Sequence, residues 1–371
     1  MNKSKKVLKF IIFLIIGIFI FQALTHIFVP KWIDSFDSAS ARIKGFYNEK
    51  KNTIDVLVVG NSGVSRGYSP IVVWDKYGIT SYNLGTSNQT MSFAYYLIKE
   101  ALNYQEAKTI VLDMNAAFTN TDAPEGEYRK FFDNMRLGKV KLETINDKNL
   151  RIKDKDKLSY IFPLLRFHAR WDNLKKEDFN ISLQDEYKDI SYKGMAVTTD
   201  VKPYIDNEKY MKEKGEKSTI SKENLYYINK IIRLCEEKNI NLLCVSFPSA
   251  TTTDLLDSKR KLIIDWSLAK NKKIEEIAKE YGIEFIDFNL PENQEKIQFD
   301  WMKDTADIGN HLNIYGAEKV SKYIGKVLSE KYNLENHKND EGISSDWNEV
   351  TKRYEENKEM LEKEKINKIS K

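Results

Sequence analysis

Two groups of side chains near opposite ends of this chain have the types and spacing that acyl-transfer chemistry needs. The first is Gly60-Asn61-Ser62, standing directly behind the apolar run Ile54-Asp55-Val56-Leu57-Val58-Val59. The second is Asp307-Ile308-Gly309-Asn310-His311-Leu312-Asn313. A serine hydroxyl is a weak nucleophile until a base within hydrogen-bond reach takes its proton, and His311 is the candidate base. A carboxylate on the other ring nitrogen would fix the imidazole tautomer. Asp307, four residues before His311, is the nearer choice, and Asp304 is the alternative. Singly, each group has an ordinary reading. Glycine and serine after a strand commonly make a turn, and a histidine beside Asn313 can help cap a helix. Only a fold that joins the two groups gives them chemistry.

The elements that would join them alternate between strand and helix. Ile54 to Gly60 reads as a buried strand, rich in β-branched residues and ended by glycine. Ser69-Pro70 is an N-cap and first helical residue for a short helix through Lys76. A strand over Thr80 to Leu84 follows, then a helix from Met91 to Leu102 with Met91, Ala94, Tyr95 and Ile98 on one face. Thr109 to Met114 makes a third strand. After about residue 120 the rhythm stops, and 121–220 reads as a mostly helical insertion. The rhythm resumes with Ser221 capping a helix, a strand at Asn241 to Phe247, and a helix from about Ser258 to Tyr281. A strand at Glu284 to Phe288 and a helix from about Ile314 to Tyr332 close the pattern. Such alternation predicts a parallel sheet covered on both faces. A serine at the C-terminal end of its first strand would point into the crevice where open α/β sheets bind ligands. Residue 64 is Val, so the turn is not the glycine-serine-glycine elbow of α/β-hydrolases.

Composition narrows the function classes. Of 371 residues 41% are apolar, enough for one large domain or a domain with an insertion. The 59 basic and 55 acidic residues leave a net charge of +4 spread along the chain, without the clustered basic face of a nucleic-acid binder. Cys235 and Cys244 are too few for a disulfide framework and read as small buried hydrophobes. His26, His168, His311 and His337 have no metal-ligand spacing, so neither metal nor cofactor is expected.

The N-terminus sets the expected compartment. Val7 to Val29 is a 23-residue apolar stretch interrupted by Lys9, and about 20 such residues span a hydrocarbon core. Lys3, Lys5, Lys6 and Lys9 would hold the N-terminus in the cytoplasm and put the rest of the chain outside. Ala39-Ser40-Ala41 has the form of a signal-cleavage site but lies ten residues beyond Val29, so an uncleaved anchor over 1–30 is the preferred reading. Residues 31–52 then form a polar, partly helical stalk, 53–120 and 221–333 the two halves of the domain, and 334–371 a charged tail. That tail is either a helix lying on the domain or a solvated extension, with Trp347, Tyr354 and Met360 as its apolar anchors.

Together, Gly60-Asn61-Ser62, Tyr82-Asn83-Leu84-Gly85-Thr86-Ser87 and the run from Asp307 to Gly316 resemble the SGNH/GDSL hydrolase superfamily. The resemblance extends over roughly residues 50 to 350. It is most specific in His311-Leu312-Asn313 followed by Gly316-Ala317, and is similar to the membrane-anchored extracytoplasmic branch of Gram-positive bacteria. That branch is similar to the D-alanine-transfer protein of teichoic acid modification and to cell-surface polysaccharide O-acetyltransferases. His168-Ala169-Arg170-Trp171 also looks like one of its motifs. The resemblance implies a three-layer, flavodoxin-like α/β fold with Ser62 as nucleophile, His311 as base and Asp307 as its orienter. It places the oxyanion hole at the backbone of Ser62, at Gly85 or Asn88, and at Asn115, although the best register puts Ala117 at that last position. Gln89 is a substitute donor there. Asn61, Gln89, His168 and Arg170 are the candidate substrate contacts; His168, Arg170 and Trp171 either line the approach to Ser62 or pin the insertion to the core. The implied partners are a cell-wall polysaccharide or teichoic acid acceptor and a multi-pass membrane O-acyltransferase that supplies the acyl group. The rival expectation, from another class, is a non-catalytic polysaccharide-binding or scaffold protein that keeps the fold.

Overall fold

Five short strands make one all-parallel sheet in the order β2-β1-β3-β4-β5 in the computed structural model of the chain. They are β1 (Val56–Val59), β2 (Ser81–Asn83), β3 (Thr109–Asp113), β4 (Asn241–Ser246) and β5 (Glu284–Asp287). The structure describes residues 3–30, 39–121, 125–180, 192–202, 220–249, 271–307 and 311–369. Leu57 of β1 stands opposite Tyr82 of β2 and Ile110 of β3, which fixes the register at the centre of the sheet. The strand order is the flavodoxin-like one, and its switch point lies beside β1.

Successive strand residues face opposite sides, and both sides are covered. Val56, Val58, Val111, Leu243 and Val245 pack with Val73, Val320 and Ile324 on one face. Leu57, Val59, Ile110, Leu112 and Cys244 pack with Met91, Ala94, Ile98, Ile228 and Ile231 on the other. The first face carries helices Pro70–Tyr77 and Ile314–Lys331, and the second carries Met91–Ala101 and Lys222–Lys238. Side-chain caps start three of them, Ser69 and Ser221 as the sequence predicts and Thr90 in addition. The side chains of Ser69, Thr90 and Ser221 each accept a backbone N–H from the first turn of the helix that follows. Each fully buried aliphatic side chain contributes about 1.5–3 kcal/mol, so covering both faces holds the sheet.

Two expectations change, and the alternative left open for the tail is decided. The stalk is not a stalk from residue 39 on: helix Ala39–Phe46 is buried, with Ile43 and Phe46 in the core and Tyr82 donating its hydroxyl to the Arg42 carbonyl. The tail is a helix lying on the domain, Glu341–Ile369. Trp347 and Tyr354 anchor it, Trp347 lying 5.2 Å from the Trp74 ring, whereas Met360 is exposed. The insertion is helical at Glu125–Phe132, Lys139–Ile145 and Asp154–Ile161, but 192–202 runs along the core rather than outside it. The helix expected from Ser258 to Tyr281 is seen over 271–280, and the rest of it lies outside the described residues.

At the N-terminus, helix Lys3–Phe28 is long and apolar enough to cross a membrane, and its apolar side chains are exposed. Both cysteines are buried and free. Burial pushes each thiol up to about 12, which makes them inert as nucleophiles near neutral pH.

Candidate active site

The turn that carries Ser62 is built at the C-terminal end of β1. Gly60 must be glycine, because a Cβ there would stand 2.4 Å from the Asp113 Cβ at the end of β3. The chain then enters helix Ser62–Gly67, whose cap is Asn61, with its side-chain oxygen accepting the Gly63 N–H at 2.8 Å. Asn83, fully buried at the end of β2, ties this helix down: its amide donates to the carbonyls of Val64 (2.7 Å) and Tyr68 (2.9 Å). These contacts leave the Ser62 hydroxyl half-exposed at the crevice.

The histidine arrives from the far end of the chain. Thr305 and Leu312 form an antiparallel bridge, and the Ala306 N–H donates to the His311 carbonyl at 2.9 Å. That bridge sets Asp307 beside His311, which is how a spacing of four residues brings the two side chains together. Asp307 accepts the His311 backbone N–H at 3.0 Å and, through its other oxygen, the ring Nδ1–H. With the proton on Nδ1, Nε2 is the acceptor for the Ser62 hydroxyl, 2.8 Å away. Asn313 fixes the helix behind. Its side-chain oxygen caps Tyr315 and Gly316, and its amide donates to the Lys303 carbonyl at 2.6 Å. Asp304 is committed elsewhere: it is buried, accepts the Asp300 N–H and pairs with Lys319 at 2.7 Å. Between the two aspartates, geometry therefore selects Asp307.

Several expected site residues have other work. The Gly85 N–H donates to the Asn83 side chain at 3.0 Å, so it is not open to an oxyanion, and a Cβ at Gly85 would lie 2.8 Å from the Ser65 nitrogen. Close packing accounts for this glycine. Gln89 is buried and spends its amide on the Leu84 carbonyl and Thr86 hydroxyl, bracing the loop rather than facing a substrate. The Asn115 amide reaches the Phe247 carbonyl at 3.3 Å, and Ala117 is fully buried. Asn88 has the left-handed backbone its residue type tolerates, φ 52°, and its side chain meets Glu127 of the insertion. His168 is exposed, its ring Nδ1 paired with the Leu165 carbonyl. Arg170 pairs with Asp178 and donates to the Phe28 carbonyl. Ser62, Asp307 and His311 are brought together; His168 and Arg170 hydrogen-bond none of them.

Sequence reading missed the segment 192–202. Its backbone strings the site together: Lys193 O accepts from Asn83 N, Ala196 N donates to Ser65 O, and Thr198 O accepts from Ile314 N. Lys202 N donates to Thr305 O, and the Asp200 carbonyl accepts from the Asn313 amide. Lys193 anchors the strap; it is 2% exposed and pairs with Glu49 (2.7 Å) and Asp346 (2.5 Å). The only cue in the sequence is Gly194, whose φ of 90° and 2.0 Å approach of a Cβ to the Asn83 carbonyl require glycine.

No family model and no curated protein matches the chain. Among solved structures, a GDSL-like lipase from Bacteroides thetaiotaomicron aligns at 11% identity and TM-score 0.36, over 80% of this chain and 98% of its own. A lipolytic protein of the G-D-S-L family from Desulfitobacterium hafniense aligns at 11% identity and TM-score 0.33, over 74% and 99%. At these values the reading of the site rests on its own geometry.

Proposed function

We propose that the chain is an SGNH-type serine esterase or acyltransferase, anchored in a membrane by helix Lys3–Phe28 and acting outside the cell on acyl groups of envelope polymers. The observation that carries this is the relay from Ser62 Oγ to His311 Nε2 at 2.8 Å and from His311 Nδ1 to Asp307. His311 takes the Ser62 proton as the oxygen attacks an ester carbonyl, and the carbonyl electrons move onto oxygen. The Ser62 N–H, hydrogen-bonded to no acceptor among the described residues, faces that charge, with the Asn88 N–H as the candidate second donor. One such donor is worth about 10²–10³ in rate. The ester C–O bond then breaks and the leaving alkoxide takes the proton back from His311, leaving acyl-Ser62. Water, or a polymer hydroxyl, gives its proton to His311 and attacks the acyl carbon, and Ser62 is restored.

An anchor beside the membrane favours a polymeric acceptor, and a multi-pass membrane acyl exporter would be the donor's source. The competing reading, a scaffold that binds polysaccharide without catalysis, is favoured by one observation: the N–H of Gly85 and the amide of Asn115 are both engaged. Mass spectrometry of envelope polymers from cells carrying Ser62→Ala decides among these. Acyl content falls if the enzyme is a transferase and rises if it is an esterase. Unchanged polymers contradict the proposed substrate class.

A further inference from the structure

A run of exposed large apolar side chains lies in the segment that packs on the N-terminal helix. Leu158, Phe162, Leu165, Trp171 and Phe179 are exposed by 40–68%. From Ile161 this surface continues into a groove lined by Leu137 and Leu142. A solvent-facing domain seldom gathers so many large apolar groups in one stretch unless something covers them.

This stretch is fastened to the membrane-crossing candidate by three contacts. The Phe162 ring meets Phe21 edge-on at 5.8 Å. His26 Nε2 lies 3.0 Å from the Asn180 carbonyl, and Arg170 donates to the Phe28 carbonyl at 2.5 Å while pairing with Asp178. The apolar helix and the segment 154–180 therefore share one height. Phe21 lies seven residues before the helix end at Phe28, about 10 Å along the axis at 1.5 Å per residue. A side chain packed on Phe21 is thus about 10 Å inside the boundary of whatever slab ends at Phe28. Amphipathic helices that lie in a membrane surface seat their apolar face about 5–10 Å deep. The polar side is mixed: residues 154–180 carry six Lys or Arg against five Asp or Glu, with Lys155, Arg166, Lys175 and Lys176 exposed beside Asp154, Asp172 and Glu177. The exposed Lys and Arg among them are placed to meet headgroup phosphates.

We infer that residues 154–180 form an interfacial foot, seated among the lipid acyl chains and headgroups of the leaflet that receives the C-terminal end of helix Lys3–Phe28. The inference rests on the proposed membrane span and adds to it. A single flexible tether leaves the domain free to tumble, whereas a foot of this kind sets the height and tilt of the crevice over the bilayer.

The test uses the full chain in phosphatidylcholine/phosphatidylglycerol vesicles, with a nitroxide placed singly at Leu165→Cys, Phe179→Cys, Phe13→Cys or Tyr226→Cys. Both native cysteines are buried and label poorly. All four positions are exposed in the structure, so the substitutions spare the core. Labels at 165 and 179 should follow the one at 13, with oxygen accessibility high and nickel-chelate accessibility several-fold below that at 226. If 13 is lipid-facing while 165 and 179 behave like 226, the foot is refuted and the span stands. If 13 itself is aqueous, the span fails and the foot fails with it.

Discussion

The two halves of the site are held in different ways. The Ser62 turn is fixed largely by side chains: Asp113 against Gly60, Asn61 as its own cap, and Asn83 of β2 on the carbonyls of Val64 and Tyr68. The acid-base loop is held chiefly by main chain, its own bridge between Thr305 and Leu312 and the strap 192–202, which bonds to Thr305 and Ile314. The first half depends on residue types; the second depends on where a remote backbone runs. Substitutions near Ser62 should therefore act locally, while those that free the strap should disturb both halves at once.

The largest effect belongs to the carboxylate. Asp307→Asn removes the group that fixes the His311 tautomer, and turnover should fall by about 10⁴, the scale of the same change in a serine protease triad. Thermal unfolding should be unaltered, because Asp307 is only partly buried. Asp304→Asn should do the reverse. It weakens a buried pair with Lys319, lowering stability by about 1–3 kcal/mol with most turnover kept. If Asp304→Asn is the variant that abolishes turnover, the loop has been assigned the wrong acid.

Lys193→Met tests the strap. It leaves the carboxylates of Glu49 and Asp346 without their buried partner, at a cost of about 3 kcal/mol in denaturant unfolding. Because the strap bonds to Asn83, Ser65 and Ile314, kcat should fall as well in the protein that remains folded. Loss of stability with kcat intact would show the strap to be a brace for the fold alone. Asn313→Ala should have the smallest effect of these variants. It removes a helix cap, worth about 1–2 kcal/mol, and loosens His311 from one side, so kcat should drop while KM holds.

This contrast also explains what could be read from the sequence. β1, β2, β3 and their helices follow from apolar periodicity and from Ser69 and Ser221 as caps, because those signals are local. Ser62 and His311 stood out because each sits at the end of an element. The strap was invisible, since backbone hydrogen bonds place no demand on the side chains of Ala196 or Thr198. Gly85 illustrates the opposite error: a glycine at the position of an oxyanion donor is there because Val64 and Ser65 leave no room for a Cβ. The buried helix Ala39–Phe46 was hidden by its polar residues, Arg42 among them, whose guanidinium donates to the Gly194 carbonyl inside the protein.

The central claim is that Ser62 is a nucleophile activated by His311. A fluorophosphonate probe followed by peptide mass mapping reads it directly, because the probe needs the activated hydroxyl and no knowledge of the natural substrate. The account predicts one adduct, on the peptide containing Ser62, lost in Ser62→Ala and strongly slowed in His311→Ala. A folded protein that takes up no label, or carries it on another serine, would contradict it.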